Sequence, residues 1–335
     1  MMLKELSLWE TKLTEGLQLA QSFYADHATR LPKNITKIAF VGMGGSGIAG
    51  RIFKTFLELR SPICPILVES STLPTSVDTK TLAIVMSYSG NTWETLDVLD
   101  QLTAKFIPTL VIAHGGKAIK TAEAKGLPFI LMPDSLTPRS SLGHSLGFLG
   151  GLFDLMGLLP SKAWVDGWVQ DAIKYVPALV EPSFFKDFLS ISNGCDWFHV
   201  WGVAGDSAAA AYRATTQFNE NSKIQAVFNT FPELAHNLLV GVGQAKTPPF
   251  ILCFYTDFLT LHMAGALQAV TEILKEKRAI LYKSPVLGDT FESQVFTAIL
   301  WADFASYHFA KARGVEVEPV QIIDEFKKRQ TLKGI

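Results

Sequence analysis

Two loops in this chain have the composition of an anion cradle. Residues 42–50 read Gly-Met-Gly-Gly-Ser-Gly-Ile-Ala-Gly and follow an apolar run at 38–41. Residues 87–92 read Ser-Tyr-Ser-Gly-Asn-Thr and follow a second apolar run at 81–86. Each run has the make-up of a buried strand, and each loop leads into a helical stretch. Glycines let a backbone approach its ligand, a helix N-terminus offers N–H donors and a positive dipole end, and Ser and Thr add hydroxyl donors. Paired at neighbouring strand ends of a parallel sheet, the loops point to a phosphorylated small molecule as ligand.

A rival reading starts from the same glycines. Residues 42–47 fit the dinucleotide fingerprint G-x-G-x-x-G, and Glu69 stands 22 residues after Gly47, where a ribose-binding acid belongs. That reading leaves the hydroxyls of 87–92 without a task. A third reading is structural: glycine and serine at a strand-to-helix turn permit the turn and cap the helix.

The elements that must position these loops alternate along the chain. Strands are expected at 38–41, 66–69, 82–87, 110–113 and 129–131, with helical stretches near 49–59, 92–105 and 117–125. The plan repeats in the second half, with strands expected at 197–203, 223–227, 250–254 and 279–282. Such alternation argues for βαβ units and doubly wound parallel sheets. Gly202-Val203-Ala204-Gly205-Asp206-Ser207 echoes the first glycine loop, with Asp206 near the place of Ser46. An acid there repels phosphate, so this second loop is expected to be structural. The two halves are expected to divide into domains 1–156 and 157–335, joined through a linker near 157–182 that holds Pro160, Pro177 and Pro182.

Composition narrows the class. With 335 residues, 48% hydrophobic and 18% charged, the chain can bury two cores. A net charge of −1 gives no ground for a nucleic-acid or anionic-membrane partner. Cys64, Cys195 and Cys253 are far apart and sit in apolar surroundings, and are expected to be buried reduced thiols in a cytoplasmic protein. The first 19 residues read as an amphipathic helix on Leu6, Leu13 and Leu17, not as a signal peptide. The most apolar stretch, 142–159, carries His144, Asp154 and four glycines, and reads as a buried helix between domains rather than a membrane span.

Beyond these readings, the sequence resembles a known family. G-G-S-G-I-A-G and S-Y-S-G-N-T look like the loops of sugar isomerase (SIS) domains. Thr137-Pro138-Arg139, Gln217-Phe218-Asn219-Glu220-Asn221-Ser222-Lys223 and Pro232-Glu233-Leu234-Ala235-His236-Asn237 look like the bifunctional phosphoglucose/phosphomannose isomerases, a two-SIS-domain branch of the phosphoglucose isomerase superfamily. The N-E-N-S-K segment, followed sixteen residues after its Glu by the His of P-E-x-x-H-N, is the most specific part. The resemblance implies an α/β fold of two SIS-type domains, each a mainly parallel sheet flanked by helices. It implies that Gly45, Ser46, Ser87, Ser89 and Thr92 bind the substrate phosphate. Arg139 then faces the reacting carbons, Glu220 moves a proton between C2 and C1, and His236 assists ring opening from the partner subunit of a homodimer. A C-terminal lysine completes the family site; Lys327 is the first choice and Lys328 its neighbouring rival. Glu318 stands before Pro319 where the family often has Thr, which leaves that register open.

Those residue types suit aldose–ketose isomerisation of hexose 6-phosphates, with neither metal nor cofactor. A partly buried carboxylate can serve as base, Arg can hold charge on the developing enediolate, and His can give and take a proton near neutrality. Glucose 6-phosphate and mannose 6-phosphate differ only at C2 and share one cis-enediol, so one base can link both to fructose 6-phosphate. Two other functions fit parts of the sequence: a non-catalytic sugar-phosphate-binding SIS protein and an NAD-dependent dehydrogenase.

Overall fold

The computed structural model describes residues 1–247 and 249–332. It forms two compact units, Leu8–Val169 with the C-terminal segment from Gln321, and Met1–Ser7 with Gln170–Val320. The division therefore falls between Val169 and Gln170, later than the expected 156/157. The stretch read as a proline linker is instead the helix Ser161–Leu179, which carries Pro177 inside it. Pro177 removes the bond its N–H would make one turn back, but it lies in the last turn, where little helix follows for it to disrupt.

In the first unit five parallel strands take the order β2-β1-β3-β4-β5: β1 Lys37–Val41, β2 Cys64–Val68, β3 Thr81–Met86, β4 Thr109–Ala113 and β5 Phe129–Leu131. Both faces are covered, which is why the central strands read as unbroken apolar runs. Ala39, Val41, Ala83, Val85 and Val111 share a core with Val98, Leu99 and Leu102 of the helix Trp93–Ala104 and Ala118, Ile119 and Ala122 of the helix Gly116–Lys125. On the other face Phe40 packs edge-on to Phe153 of the helix Leu142–Leu155.

The glycines of that last helix serve packing. The expected N-terminal helix is two, Met2–Leu6 and Trp9–His27, and the second lies against Leu142–Leu155. A Cβ at Gly147 would run into the Leu13 carbonyl, and one at Gly16 into the His144 carbonyl. The small residues let two backbones touch. Among the described residues no helix is long and apolar enough to cross a membrane.

The second unit holds four parallel strands in the order β7-β6-β8-β9: β6 Trp197–Val203, β7 Gln225–Phe231, β8 Phe250–Phe254 and β9 Ile280–Lys283. Trp201, Val203, Ile251 and Cys253 meet Leu267, Val270 and Leu274 of the helix Leu261–Glu276. The opposite face is aromatic, with Phe188, Phe198, Phe218 and Phe309 in mutual ring contact. Phe309 belongs to the helix Phe291–Ala312, the longest described.

The cysteines correct the expectation of three buried thiols. Cys253 is buried, Cys195 half-buried, and Cys64 exposed at the start of edge strand β2. Burial pushes the Cys253 thiol up to about 12 and raises that of Cys195, where Asp196 adds to the effect. A thiol reagent applied to the native protein at pH 8 is thus expected to label Cys64 first and to reach Cys253 only on unfolding, because the thiolate is the reactive form. Peptide mapping of the labelled protein checks this; early labelling of Cys253 would contradict the burial.

Candidate active site

The two hydroxyl-rich loops meet at the carboxyl edge of the first sheet, after β1 and β3. These are the strands between which the order of addition reverses, the place where open α/β sheets take ligands. Gly45 and Ser46 lie in the first turn of the helix Gly44–Arg60. Thr92 is the N-cap of Trp93–Ala104, so two helix N-termini open at this edge. The Tyr88 amide ties the loops together by donating to Ser46 Oγ at 3.1 Å, and within the second loop Ser87 Oγ donates to Thr92 Oγ1 at 3.1 Å. Ser89 is exposed at the loop tip, where its Oγ accepts from the Asn91 amide at 3.3 Å. Hydroxyls that accept from the chain keep a proton to donate to an anion.

Arg139 is brought to the same place. It sits on the 3-10 turn Pro138–Ser141 and is 3% exposed. A Cβ at Gly45 would lie 3.1 Å from the Arg139 Cα, so glycine is what allows the cradle backbone and this turn to pack together. Thr137 and Ser140 close a capping box around the turn. Lys12 supports it from below, 5% exposed, with Nζ donating to the Ser140 carbonyl at 2.9 Å.

Sequence reasoning passed over Lys12, Tyr88 and Asn91. Lys12 was legible in principle, since it falls on the buried stripe of Trp9, Leu13, Gly16 and Leu17. Asn91 accepts from the Lys117 amide at 3.1 Å and donates to the Ser89 carbonyl at 3.0 Å, which fixes the loop tip against the turn 115–116. Gly90 has φ +64°, and a Cβ on it would overlap the Gly115 carbonyl oxygen. Gly90→Ala is expected to displace this loop, to cost about 1–3 kcal/mol of stability, and to raise KM for a sugar phosphate more than it lowers kcat. Steady-state kinetics and denaturant unfolding check it.

Glu69 is not placed as a ribose ligand. Its carboxylate is held on both oxygens by Arg51, with Nε donating to Oε1 at 2.8 Å and Nη2 to Oε2. Arg51 stands two turns into the glycine-loop helix, so the acid of the dinucleotide reading is consumed by an ion pair.

Glu220 lies in the second unit, in the last turn of the helix Ala208–Ser222, and is half-buried. Its neighbours are pinned. Asn219 exchanges two hydrogen bonds with the backbone of Ala226, at 2.9 and 3.0 Å. Asn221 Nδ2 donates to Ser306 Oγ at 2.9 Å, and Ser222 Oγ to the Ser306 carbonyl at 2.7 Å. Lys223 closes the helix in the left-handed region at φ +56°, its Nζ donating to the Glu220 carbonyl and, at 3.1 Å, to that of Val317. The specificity of N-E-N-S-K thus has a mechanical basis: the flanking side chains anchor the turn that presents Glu220.

His236 is exposed, at the end of the 3-10 turn Glu233–His236 that follows β7. Glu220 precedes β7 and His236 follows it, so the seven-residue strand Gln225–Phe231 separates them by roughly 20 Å. Within one unit they lie at opposite edges of one sheet. Lys327 and Lys328 are both exposed on the helix Gln321–Leu332, in the segment that groups with the first unit. Glu318 accepts from the Met2 amide at 2.9 Å, which lowers its pKa and ties the N-terminal segment to the second unit.

The second glycine loop is closed. Asp206 is 5% exposed and accepts from the Thr256 amide at 3.0 Å and from its hydroxyl. Burial pushes the Asp206 carboxyl up; Thr256, Ser207 and the charge of Lys283 pull it back.

Two doubly wound parallel units, the first with its hydroxyl cradle at the switch point, define a two-SIS-domain protein. Residues 33–125 match the SIS domain family, and residues 190–329 match the bacterial phospho-glucose isomerase C-terminal SIS domain. The bifunctional phosphoglucose/phosphomannose isomerase of Caldicellulosiruptor bescii is 30% identical over 312 residues, 89% of this chain and 90% of its own. The chain belongs to the bifunctional phosphoglucose/phosphomannose isomerase family. A D-glucosamine-6-phosphate 4-epimerase of Sulfolobus acidocaldarius is 27% identical over 92% of this chain and 95% of its own. The fold also matches tagatose-6-phosphate ketose/aldose isomerase from Escherichia coli, with a TM-score of 0.68 at 15% identity over 96% of this chain and 97% of its own.

Proposed function

We propose that the protein interconverts glucose 6-phosphate and mannose 6-phosphate with fructose 6-phosphate. The observation that carries this reading is Glu220, a carboxylate presented by a turn whose flanking residues are locked, in a chain whose first sheet carries a ready phosphate cradle. Gly45, Ser46, Ser87, Ser89 and Thr92 take the phosphate and orient the sugar. Glu220 removes the C2 proton and returns it to C1, and Arg139 stabilises the enediolate oxygens. His236 opens the ring and Lys327 adds positive charge at the sugar oxygens. Proton transfer of this kind contributes about 10²–10⁴ per group, and fixed charge adds to it.

The separation of Glu220 and His236 across β7 supports a homodimer in which His236 serves the site of its partner subunit. A heterodimer of one Glu220→Gln chain and one His236→Ala chain is expected to regain activity at one of its two sites; sedimentation and mixed-chain assays check it.

The decisive experiment offers fructose 6-phosphate and identifies the aldose released. Glucose and mannose 6-phosphates together support the reading, and no aldose from either overturns it. The similarity to the Sulfolobus protein makes glucosamine 6-phosphate the second substrate to test, with turnover at C4 favouring an epimerase.

A further inference from the structure

Tyr88 stands inside the second hydroxyl loop, and its backbone and side chain hold different parts of the first unit. Its amide donates to Ser46 Oγ at 3.1 Å, and its carbonyl accepts from the His114 amide at 2.9 Å. The main chain of residue 88 is thus fixed to the loop after β1 and to the end of β4. The ring lies flat on the His114 imidazole, 5.2 Å between centroids at 11°. Beyond the ring, the hydroxyl reaches the segment that follows β5. It accepts from the Ser135 amide at 2.6 Å, and its own proton faces the Ser135 carbonyl at 3.2 Å, Asp134 Oδ1 at 3.4 Å and the Pro133 carbonyl at 3.5 Å. Burial raises the pKa of this hydroxyl, so it stays protonated near neutrality and can accept and donate together.

That segment is the approach to Arg139. β5 ends at Leu131, and the 3-10 turn carrying Arg139 starts at Pro138. Its start is fixed by the Met132 amide, which donates to the Ala113 carbonyl at 2.9 Å, and its end by the capping box of Thr137 and Ser140. Between these anchors the Tyr88 hydroxyl grips it. His114 Nε2 stands 3.9 Å from Asp134 Oδ1, too far for a hydrogen bond. The shape of the anion loop itself does not call for the hydroxyl: Gly90, Asn91 and the Ser87–Thr92 bond set the turn, and a phenyl ring would stack on His114 equally well.

We propose that Tyr88 is a positioning residue that couples the phosphate cradle to Arg139. A phosphate that orders the loop 87–92 steadies, through the Tyr88 hydroxyl, the segment that sets Arg139 at the reacting carbons. The proposal rests on the preceding reading in taking that loop as the phosphate site and Arg139 as the group that stabilises the enediolate. Binding at one end of the substrate is thereby used for alignment at the other.

Tyr88→Phe tests this, since it removes the hydroxyl and keeps the ring and both backbone bonds. It is expected to lower kcat for fructose 6-phosphate about tenfold and to leave KM, and the inhibition constant of inorganic phosphate, within about twofold. In an Arg139→Ala background the same exchange is expected to change kcat by less than about twofold. A stability loss with kcat unchanged, or the full tenfold loss without Arg139, overturns the proposal. Hydrogen exchange of the full-length parent supplies a readout that needs no turnover and no variant. Inorganic phosphate is expected to slow exchange in 42–50, in 87–92 and in 134–139, and in Tyr88→Phe only in the first two. Protection of the two loops without 134–139 in the parent overturns the coupling and leaves the phosphate reading standing. Protection nowhere removes the phosphate reading, and the coupling with it.

Discussion

Glu220→Gln is expected to lower kcat for aldose–ketose interconversion by about three to four orders of magnitude while leaving the dissociation constant of a sugar phosphate within about threefold. The carboxamide keeps the size of the side chain, and the turn is anchored by its neighbours. Lys223 bonds to the backbone carbonyl of Glu220, and Asn219, Asn221 and Ser222 bond to Ala226 and Ser306. The variant therefore loses the base and keeps the frame. Single-turnover exchange of the C2 proton with solvent, beside an equilibrium binding measurement, separates the two effects. Retention of more than a tenth of the parental rate would leave Glu220 without the role of base.

The largest effect on stability is expected from Asp303→Ala. Arg213, in the helix that carries Glu220, donates Nε to Asp303 Oδ1 at 2.8 Å and Nη2 to Oδ2 at 2.9 Å, and both side chains are 1% exposed. Removing one partner leaves a buried charge without its counter-ion, at a cost of about 3–5 kcal/mol. Exchanging both for apolar residues removes the charge as well as the pair, so Arg213→Met with Asp303→Leu is expected to lose far less. Denaturant unfolding of the single and double variants checks this. A loss below about 1 kcal/mol for Asp303→Ala would show that water reaches the guanidinium on removal of the carboxylate. The pair also orients the Glu220 helix against Phe291–Ala312, so the single variant is expected to lose activity ahead of its global unfolding.

Much of the fold was legible because parallel strands buried on both faces read as plain apolar runs. The strands β1, β4, β5, β6 and β8 fall on or within one residue of their expected ranges. The strand expected at 223–227 instead begins at Gln225 and runs to Phe231. The helix before it ends only at Ser222 and needs Lys223 in the left-handed region to turn. The helix Phe291–Ala312 escaped notice because it is buried nearly all round and shows no polar face to set a period. The helix Ser161–Leu179 escaped because three prolines suggested a break.

The sequence by itself determined the local pieces: which runs become strands, where the backbone must be glycine, and which polar residues stand too far from any core pattern to be packing. It carried the two hydroxyl-rich loops almost whole, because Gly45, Ser46, Ser87, Ser89 and Thr92 lie within segments whose form is a local matter of turn and helix start. Tertiary structure alone decided which distant residues share a place. It set Arg139 against Gly45, put Lys12 beneath that turn, occupied Glu69 with Arg51, and placed Glu220 and His236 at opposite ends of β7. Those pairings depend on how sheets and helices stack, a property of summed burial over many residues that no short spacing encodes.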